Sequence, residues 1–265
     1  MEIGFLGVGQ MGRPMVDRLV SAGFSVTAHA RNPDVAAALR TTGVTVLSTP
    51  KAVANAVDIL IVCLFSDEQS GEVLLGEEGA LAGLKSGSVC VNHVTGSPDF
   101  AQHLADAAPK GVHYVDAPMS GSADQIRQGD LTLLIGAEDV ALDKARSALL
   151  AYSDPILHCG AVGDGQRMKL INNLIFSVNL RLAGEAVALG ERLGVPSTVL
   201  ASAVAHCSGG STALSYLARL PYAEFRNHSA LYLAKDVALI RKVAAESQIE
   251  LGLLGDLSEW AATTT

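Results

Sequence analysis

The chain has 265 residues, of which 49% are hydrophobic and 17% charged, and its formal net charge is −8 at pH 7. That length is enough for two modest domains with hydrophobic cores, while the negative charge argues against nucleic acid as the main partner. The longest apolar run is too short to span a membrane, and the separated cysteines and histidines predict free thiols and no metal site.

The predicted elements begin with a short apolar strand, Glu2 to Val8. No basic segment precedes it, so we predict no signal peptide and a cytoplasmic location. A glycine-rich turn, an amphipathic helix and a second strand from Phe24 to His29 follow; the turn consists of Gly7, Val8, Gly9, Gln10, Met11 and Gly12. A G-x-G-x-x-G turn between strand and helix is typical of dinucleotide binding, because its glycines permit the turn, the approach of pyrophosphate and close packing. We predict that residues 7–12 bind a dinucleotide; the alternative is a glycine-rich connector.

The end of the second strand indicates which dinucleotide binds. NAD sites place an acidic residue there to bond the ribose 2′-hydroxyl, but this chain has Ala30-Arg31-Asn32. A guanidinium pairs well with a 2′-phosphate, so we predict NADP, with Arg31 and Asn32 as ligands. NAD stays an alternative because Asp34 lies a little further along the chain. For Arg31, the other interpretation is an exposed loop arginine that binds no ligand.

The alternation of strands and helices then continues. Strand-like segments at 44–47, 57–64, 88–94, 113–116, 131–135 and 156–158 predict a Rossmann-type, doubly wound, mostly parallel α/β sheet. Leu64 and Thr95 stand at the carboxyl ends of two of these strands, where such sheets bind ligands. We expect both to contact the cofactor, although a loop threonine with no ligand fits the position of Thr95 equally well.

A loop of small residues follows the strand at 113–116. It reads Ala117-Pro118-Met119-Ser120-Gly121-Ser122. Backbone N–H groups and hydroxyls in such a loop suit a carboxylate. We therefore predict that Ser120, Gly121 and Ser122 bind a carboxylate-bearing substrate, with an ordinary turn as the alternative.

The pattern changes near Cys159, after which only helices are predicted. We expect a dinucleotide-binding domain at 1–160 and an all-α domain at 161–265. The second domain opens with a long helix that ends near Leu193 and has Asp164 as its expected N-cap. Because apolar residues occupy all its faces, we expect burial on all sides. In so small a domain, that burial predicts a partner subunit, as in a homodimer or homotetramer.

Lys169 and Asn173 stand four residues apart in this helix and share one face. Their neighbours are apolar, and desolvating an ammonium is costly. The pair therefore indicates a proton donor beside an amide that can hold an oxygen; a solvated lysine followed by polar filler is the alternative. In a later helix Lys235-Asp236 interrupts an apolar stripe, and the pattern alone favours a solvent-facing ion pair.

These motifs, in this order, resemble the β-hydroxyacid dehydrogenases. The resemblance is carried by Gly-Phe-Leu-Gly-Val-Gly-Gln-Met-Gly-Arg-Pro-Met, Asp-Ala-Pro-Met-Ser-Gly, Gly-x-Gly-Gln-x-x-Lys-x-x-Asn-Asn and the late Lys-Asp. It implies hydride transfer between NADP(H) and a small β-hydroxy acid or its semialdehyde or keto acid. It further implies that Lys169 is the catalytic acid/base, that Asn173 and Ser120 hold the substrate, and that Thr95 and Lys235 lie along the nicotinamide.

Two other functions share part of this pattern. Imine reductases have the same scaffold but usually carry Asp or Tyr in place of the lysine, so Lys169 favours a dehydrogenase. A non-catalytic dinucleotide-binding protein needs only the N-terminal motif. The chain departs from the family pattern at Ser122, where a second glycine is usual, and at His93-Val94, where a serine often precedes the threonine. These departures bear on the substrate more than on the chemistry.

Overall fold

The computed structural model describes the backbone of residues 1–262 and the side chains of residues 1–227 and 232–261. The chain forms two compact units, one of residues Met1–Lys169 and the other from Leu170 onward. The division lies inside one long helix, after Lys169, whereas the sequence predicted the domain boundary after residue 160.

The first unit is built on a nine-stranded sheet with strand order β3-β2-β1-β4-β5-β6-β8-β7, and β9 pairs with β8. The strands are β1 (Glu2–Leu6), β2 (Ser25–His29), β3 (Thr45–Val46), β4 (Ile59–Val62), β5 (Val89–Asn92), β6 (His113–Asp116), β7 (Met119–Ser120), β8 (Leu131–Gly136) and β9 (Ser153–Gly160). Neighbours from β3 to β6 are parallel, and β9 is parallel to β8. Only β8 runs antiparallel to β6 and β7. The predicted doubly wound, mostly parallel sheet is confirmed.

Helices cover both faces of this sheet. They are α1 (Gly12–Ser21), α2 (Pro33–Thr41), α3 (Pro50–Asn55), α4 (Asp67–Leu74), α5 (Ala80–Gly83), α6 (Pro98–Ala107), α7 (Ala123–Gln128) and α8 (Asp139–Leu149). Successive side chains of a strand point to opposite faces. Ile61 of β4 therefore joins the cluster that contains Met15 of α1, whereas Leu60 joins the cluster that contains Leu104 of α6.

Two segments of the sheet differ from the sequence prediction. Met119 and Ser120 were expected in a loop, but they pair with Leu133 and Thr132 as β7. Strand β9 is longer than the three residues predicted. The sequence underestimates its length because much of the strand is exposed and carries no long apolar run. The backbone ladder with β8, which no local pattern reveals, sets its length.

The described part of the second unit contains helices and connecting turns, which confirms the predicted all-α region. The helices are α9 (Asp164–Arg192), which begins in the first unit, α10 (Ser197–Ala205), α11 (Thr212–Leu217), α12 (Tyr222–Glu246) and α13 (Gly252–Ala262). Leu180, Leu214 and Val237 belong to its hydrophobic core. In the residues that the structure describes, no helix has the length and apolar character needed to cross a membrane.

One expectation for α9 is wrong. Asp164 is the first helical residue rather than the cap, and its carboxylate accepts a hydrogen bond from the Ala161 backbone N–H at 2.9 Å. Within the single chain one side of the helix is exposed, so the expected burial on all sides stays a prediction that depends on a partner subunit. Four apolar side chains that share one side of α9 are 43% to 51% exposed: Ile171, Ile175, Leu182 and Leu189.

Candidate functional site

The carboxyl ends of four neighbouring strands lie side by side. In the parallel register Leu6 pairs with Val62, Val62 with Asn92, and Asn92 with Asp116. Open α/β sheets bind ligands at this edge. The loops at 7–12, 63–66, 93–97 and 117–118 all leave from it, so the sheet gathers most of the predicted site residues of the first unit.

The glycine turn after β1 has the geometry that a dinucleotide requires. Gly7 has φ +93°, and a Cβ there would lie 2.1 Å from the Cys63 carbonyl oxygen, so only glycine fits. A Cβ on Gly12 would lie 2.2 Å from the Gly7 oxygen, which shows how closely α1 packs on the turn. A Cβ on Gly9 would meet no atom within 4 Å, so this backbone faces open space.

The N-terminus of α1 can receive a phosphate. No side chain caps it, and its first turn has no acidic residue. The first N–H groups of a helix have no partner inside the helix and attract anions. Val8 and Met11 are half-buried against the core, and Gln10 is exposed. Leu64 adjoins the turn, because its side chain would be 3.0 Å from a Cβ on Gly7.

The turn after β2 contains the residues predicted to determine whether NADP or NAD binds. Arg31 is exposed. Asn32 is the N-cap of α2, and its side-chain oxygen accepts the Asp34 backbone N–H at 2.8 Å. The Asn32 oxygen is thus occupied by the cap, while its NH₂ group can still donate. Asp34 lies in the first turn of α2 rather than at the end of the strand.

The start of α9 is fastened to two of the strand ends. The Asp116 carboxylate accepts hydrogen bonds from the backbone N–H groups of Gly163 and Gln166, both at 2.9 Å. The Gln166 side chain accepts from the Gly96 N–H and donates to the Val94 carbonyl, also at 2.9 Å each. Thr95 lies between the two bonded residues. Lys169 follows three residues after Gln166 on the same helix and is 9% exposed, so the predicted lysine is buried.

Asp116 and His93 are buried titratable groups at this edge. Burial raises the pKa of the Asp116 carboxyl to about 7, in opposition to the hydrogen bonds from Gly163 and Gln166, which lower it. Burial lowers the pKa of His93 to about 4, so its imidazole is neutral. His93 Nδ1 lies 2.7 Å from the Ala117 carbonyl oxygen and must donate to it, which leaves Nε2 to accept from the Tyr152 hydroxyl at 2.8 Å. His93 thereby links the loops after β5 and β6.

The residues predicted to bind a substrate carboxylate lie at the end of β7 and at the start of α7. Ser120 lies in β7 and is partly exposed, and Gly121 has φ +144°. Ser122 is the N-cap of α7: its hydroxyl accepts the Gln125 N–H, and its own N–H donates to the Gln125 side chain at 3.0 Å. The hydroxyl proton of Ser122 is the group that remains to reach a ligand.

The second unit groups two more predicted residues around a buried acid. Asn173 donates from its side-chain nitrogen to one oxygen of Asp236, and the Lys235 Nζ lies 3.1 Å from the other. Asp236 is buried, so the sequence interpretation of a solvent-facing ion pair is wrong.

Several residues of this arrangement were not predicted as site residues. Asp116 and Gln166 could have been found, because Asp116 ends a strand and Gln166 lies inside the Gly-Asp-Gly-Gln turn. His93 and Tyr152 had no signal that pairs them. The Lys235-Asp236 pair stood out in the sequence, but nothing there indicated that Asp236 is buried. His93 and Tyr152 are 59 residues apart, and Asn173 and Asp236 are 63 apart.

Two family models match the chain in succession. Residues 2–162 match the NAD binding domain of 6-phosphogluconate dehydrogenase. Residues 163–264 match the NAD-binding region of NADP-dependent 3-hydroxyisobutyrate dehydrogenase. The two matches together cover nearly the whole chain and meet beside the first turn of α9.

Individual hydroxyacid dehydrogenases are also similar to the chain. The chain is 34% identical over 208 residues to mitochondrial 3-hydroxyisobutyrate dehydrogenase from Rattus norvegicus, a match that covers 78% of this chain and 62% of the rat protein. It therefore spans less than two thirds of that relative's length. It is 33% identical over 215 residues to 2-(hydroxymethyl)glutarate dehydrogenase from Eubacterium barkeri, covering 81% of this chain and 71% of that protein. The solved structure of Mycobacterium tuberculosis 3-hydroxyisobutyrate dehydrogenase with L-serine has a TM-score of 0.86 at 26% identity, covering 98% of this chain and 92% of that one.

Proposed function

Because the chain belongs to the β-hydroxyacid dehydrogenase family, we propose that it transfers a hydride between a nicotinamide dinucleotide and a small β-hydroxy acid. The observation that carries this proposal is the placement of Lys169. Its buried amine follows the first turn of α9, which is hydrogen-bonded to Asp116 at the end of β6 and to the loop after β5. The glycine turn after β1, whose backbone at Gly9 faces open space, lies at the same edge of the sheet. A buried lysine of this kind is suited to proton exchange.

The proposed chemistry divides the work between cofactor and protein. The bound dinucleotide supplies the acceptor or donor of the hydride at its nicotinamide ring. In oxidation, the neutral Lys169 amine accepts the hydroxyl proton while the carbon gives up its hydride and the C=O bond forms. In reduction, the Lys169 ammonium returns that proton to the developing alkoxide. Asn173 donates to the substrate oxygen, and Ser120, Gly121 and Ser122 orient the carboxylate.

We assign the cofactor preference to the turn after β2. Arg31 is the cation of that turn and would pair with a 2′-phosphate in the bidentate manner of guanidinium groups. The name of the family model that matches residues 163–264, which refers to an NADP-dependent enzyme, supports the same choice. The other residues proposed to contact the cofactor are the turn at 7–12, Asn32, Leu64, Thr95 and Lys235. NAD is the alternative that the binding measurement must test.

We also propose that the protein is a homodimer or homotetramer. The exposed apolar side of α9, made by Ile171, Ile175, Leu182 and Leu189, is the surface that a second copy would cover.

Light scattering at micromolar concentration should give at least twice the chain mass of 27.4 kDa. Leu182→Lys should lower that mass, whereas Val140→Lys, at an exposed apolar position on α8, should not. A monomeric wild type would contradict the proposal.

A substrate screen tests the activity. The relatives suggest 3-hydroxyisobutyrate, 2-(hydroxymethyl)glutarate and L-serine as probes, each offered with NADP+ and with NAD+ while the absorbance of reduced nicotinamide is followed. We expect turnover of at least one acid, with a higher kcat/KM for NADP+. A protein that binds the dinucleotide but oxidises none of these acids, and reduces none of their semialdehydes or keto acids, would contradict the proposed activity and favour a non-catalytic binding protein.

A further inference from the structure

The loop that contains Thr95 is held by side chains from two other parts of the first unit. Gln166 of α9 binds the backbone on both sides of Thr95. Asp67, the first residue of α4, accepts the Ser97 N–H at 2.8 Å. A Cβ on Gly96 would lie 1.8 Å from an oxygen of the same carboxylate. The loop therefore has three hydrogen bonds to the side chains of Gln166 and Asp67, and a larger residue at Gly96 would have to displace the Asp67 carboxylate.

The first turn of α9 is held just as closely from the other side. The Asp116 carboxylate receives two backbone N–H groups of that turn. A Cβ on Gly136 would lie 2.1 Å from one of its oxygens, and a Cβ on Gly165 2.7 Å from the other. Asp116 is therefore enclosed by backbone, and the helix start is fixed against the end of β6.

We propose that Asp116 and Gln166 are positioning residues, which join the helix turn of Lys169 and the loop of Thr95 into one preorganised assembly. This inference rests on the proposed role of Lys169 as the acid/base. Both side chains are almost completely buried, and their polar atoms bind protein backbone. They therefore act through Lys169 and Thr95, by fixing where those two groups stand.

The chemistry of Gln166 makes this role specific. Its amide donates to one carbonyl and accepts from one N–H within the same loop. A hydrocarbon side chain of similar size can do neither and would leave the Gly96 N–H without its partner. An ionised carboxylate can accept but cannot donate to the Val94 carbonyl, whereas a protonated carboxylic acid can do both.

The test compares Gln166→Leu, Gln166→Glu and a matched control, Gln102→Leu, at an exposed glutamine of α6. For Gln166→Leu we expect kcat to fall roughly 10- to 100-fold, because displacing a catalytic group by about 1 Å can cost that much. KM for the hydroxy acid should change less than kcat. Gln166→Glu should approach wild-type turnover at mildly acidic pH and lose it as the new acid ionises. Gln102→Leu should behave as the wild type.

A second measurement does not depend on turnover. The pH dependence of Lys169 acetylation by acetic anhydride, read by mass spectrometry, reports the surroundings of its amine, with the exposed Lys242 as an internal reference. Gln166→Leu should shift the midpoint for Lys169 and leave that for Lys242 unchanged. If the wild type oxidises no hydroxy acid, the proposed function fails, and the labelling still decides the positioning role. The inference would be overturned if Gln166→Leu had the kcat of the wild type and the same pH dependence of Lys169 acetylation. It would also be overturned if Gln166→Leu and Gln166→Glu had equal kcat at mildly acidic pH.

Discussion

The carboxylate of Asp116 accepts a hydrogen bond from the backbone N–H of Gln166 at 2.9 Å, although the two residues are 50 positions apart in the sequence. This bond joins the carboxyl end of β6 to the first turn of α9. Because Lys169 follows on the same helix, the position of the proposed acid/base is set by the edge of the sheet. Lys169 and the glycine turn at 7–12 thus belong to one compact unit of the chain.

Two glycines of the dinucleotide turn should respond to substitution in different ways. Gly7→Ala places a Cβ 2.1 Å from the Cys63 carbonyl and forces an L-residue to adopt φ +93°. We expect a loss of at least about 1–2 kcal/mol of unfolding free energy from the backbone conformation alone. Gly9→Ala meets no protein atom, so its stability should be unchanged while dinucleotide affinity falls. Urea unfolding and cofactor titration measure the two effects. Wild-type cofactor affinity in Gly9→Ala would contradict the proposed pyrophosphate contact.

Arg31→Ala should change cofactor preference. If Arg31 binds the 2′-phosphate, its removal costs about 1.5–3 kcal/mol, the range for hydrogen bonds to charged groups, which corresponds to a roughly 10- to 100-fold weaker Kd for NADPH. The Kd for NADH should be unchanged, because NADH lacks that phosphate. Fluorescence titration with both cofactors gives the comparison, and Arg40→Ala, at an exposed arginine of α2, is the control. Equal weakening for NADPH and NADH would show that Arg31 does not discriminate between them.

His93 should make stability depend on pH. Its pKa is lowered by burial from 6.5 to about 4 in the folded protein, so the unfolded chain takes up this proton first. The stabilising contribution of the neutral imidazole is present above the unfolded pKa and is lost as the pH falls towards 4. The shift corresponds to roughly 3 kcal/mol. Tyr152, whose own pKa burial raises well above its usual value, keeps its hydroxyl proton throughout this range.

The histidine effect must be separated from that of Asp116. The pKa of Asp116 is raised to about 7, so its contribution has the opposite sign and is lost as the pH rises through that value. His93→Gln leaves Asp116 in place and should flatten only the acid limb of the unfolding free energy. His103→Gln, at an exposed histidine, should leave the acid limb as steep as in the wild type. An unchanged acid limb in His93→Gln would contradict the assigned neutral histidine.

Local patterns were sufficient to predict the first half of the fold. The glycines at 7, 9 and 12 stand between a strand and a helix, and their spacing within six residues is the signal, although the close approach of Cys63 to Gly7 is seen only in the structure. The buried strand Ile59–Val62 was visible as a continuous apolar run. Each of these signals arises from residues that are neighbours in sequence, which is why the parallel sheet could be predicted without a structure.

The contacts that organise the candidate site have no such local signal. Asp116 meets Gln166, and Asn173 meets Asp236, across 50 and 63 residues, so their pairing depends on the strand order and on helix packing. The Lys235-Asp236 pair shows the same limit, since its sequence surroundings favour a solvent-exposed ion pair but the fold buries the acid. For α9, composition indicated apolar residues on every face, but the side that remains exposed in the single chain depends on how the other helices pack against it.

The most direct measurement is the turnover of Lys169→Ala, with dinucleotide binding recorded on the same preparation. Arg167→Ala, at an exposed arginine of the same helix, is the matched control and should keep wild-type turnover. If Lys169 is the acid/base, kcat should fall by roughly 10²- to 10⁴-fold, the usual contribution of such a group, while the Kd for the cofactor stays close to wild type. A Lys169→Ala protein that binds the cofactor and turns over at the wild-type rate would contradict the assignment of Lys169.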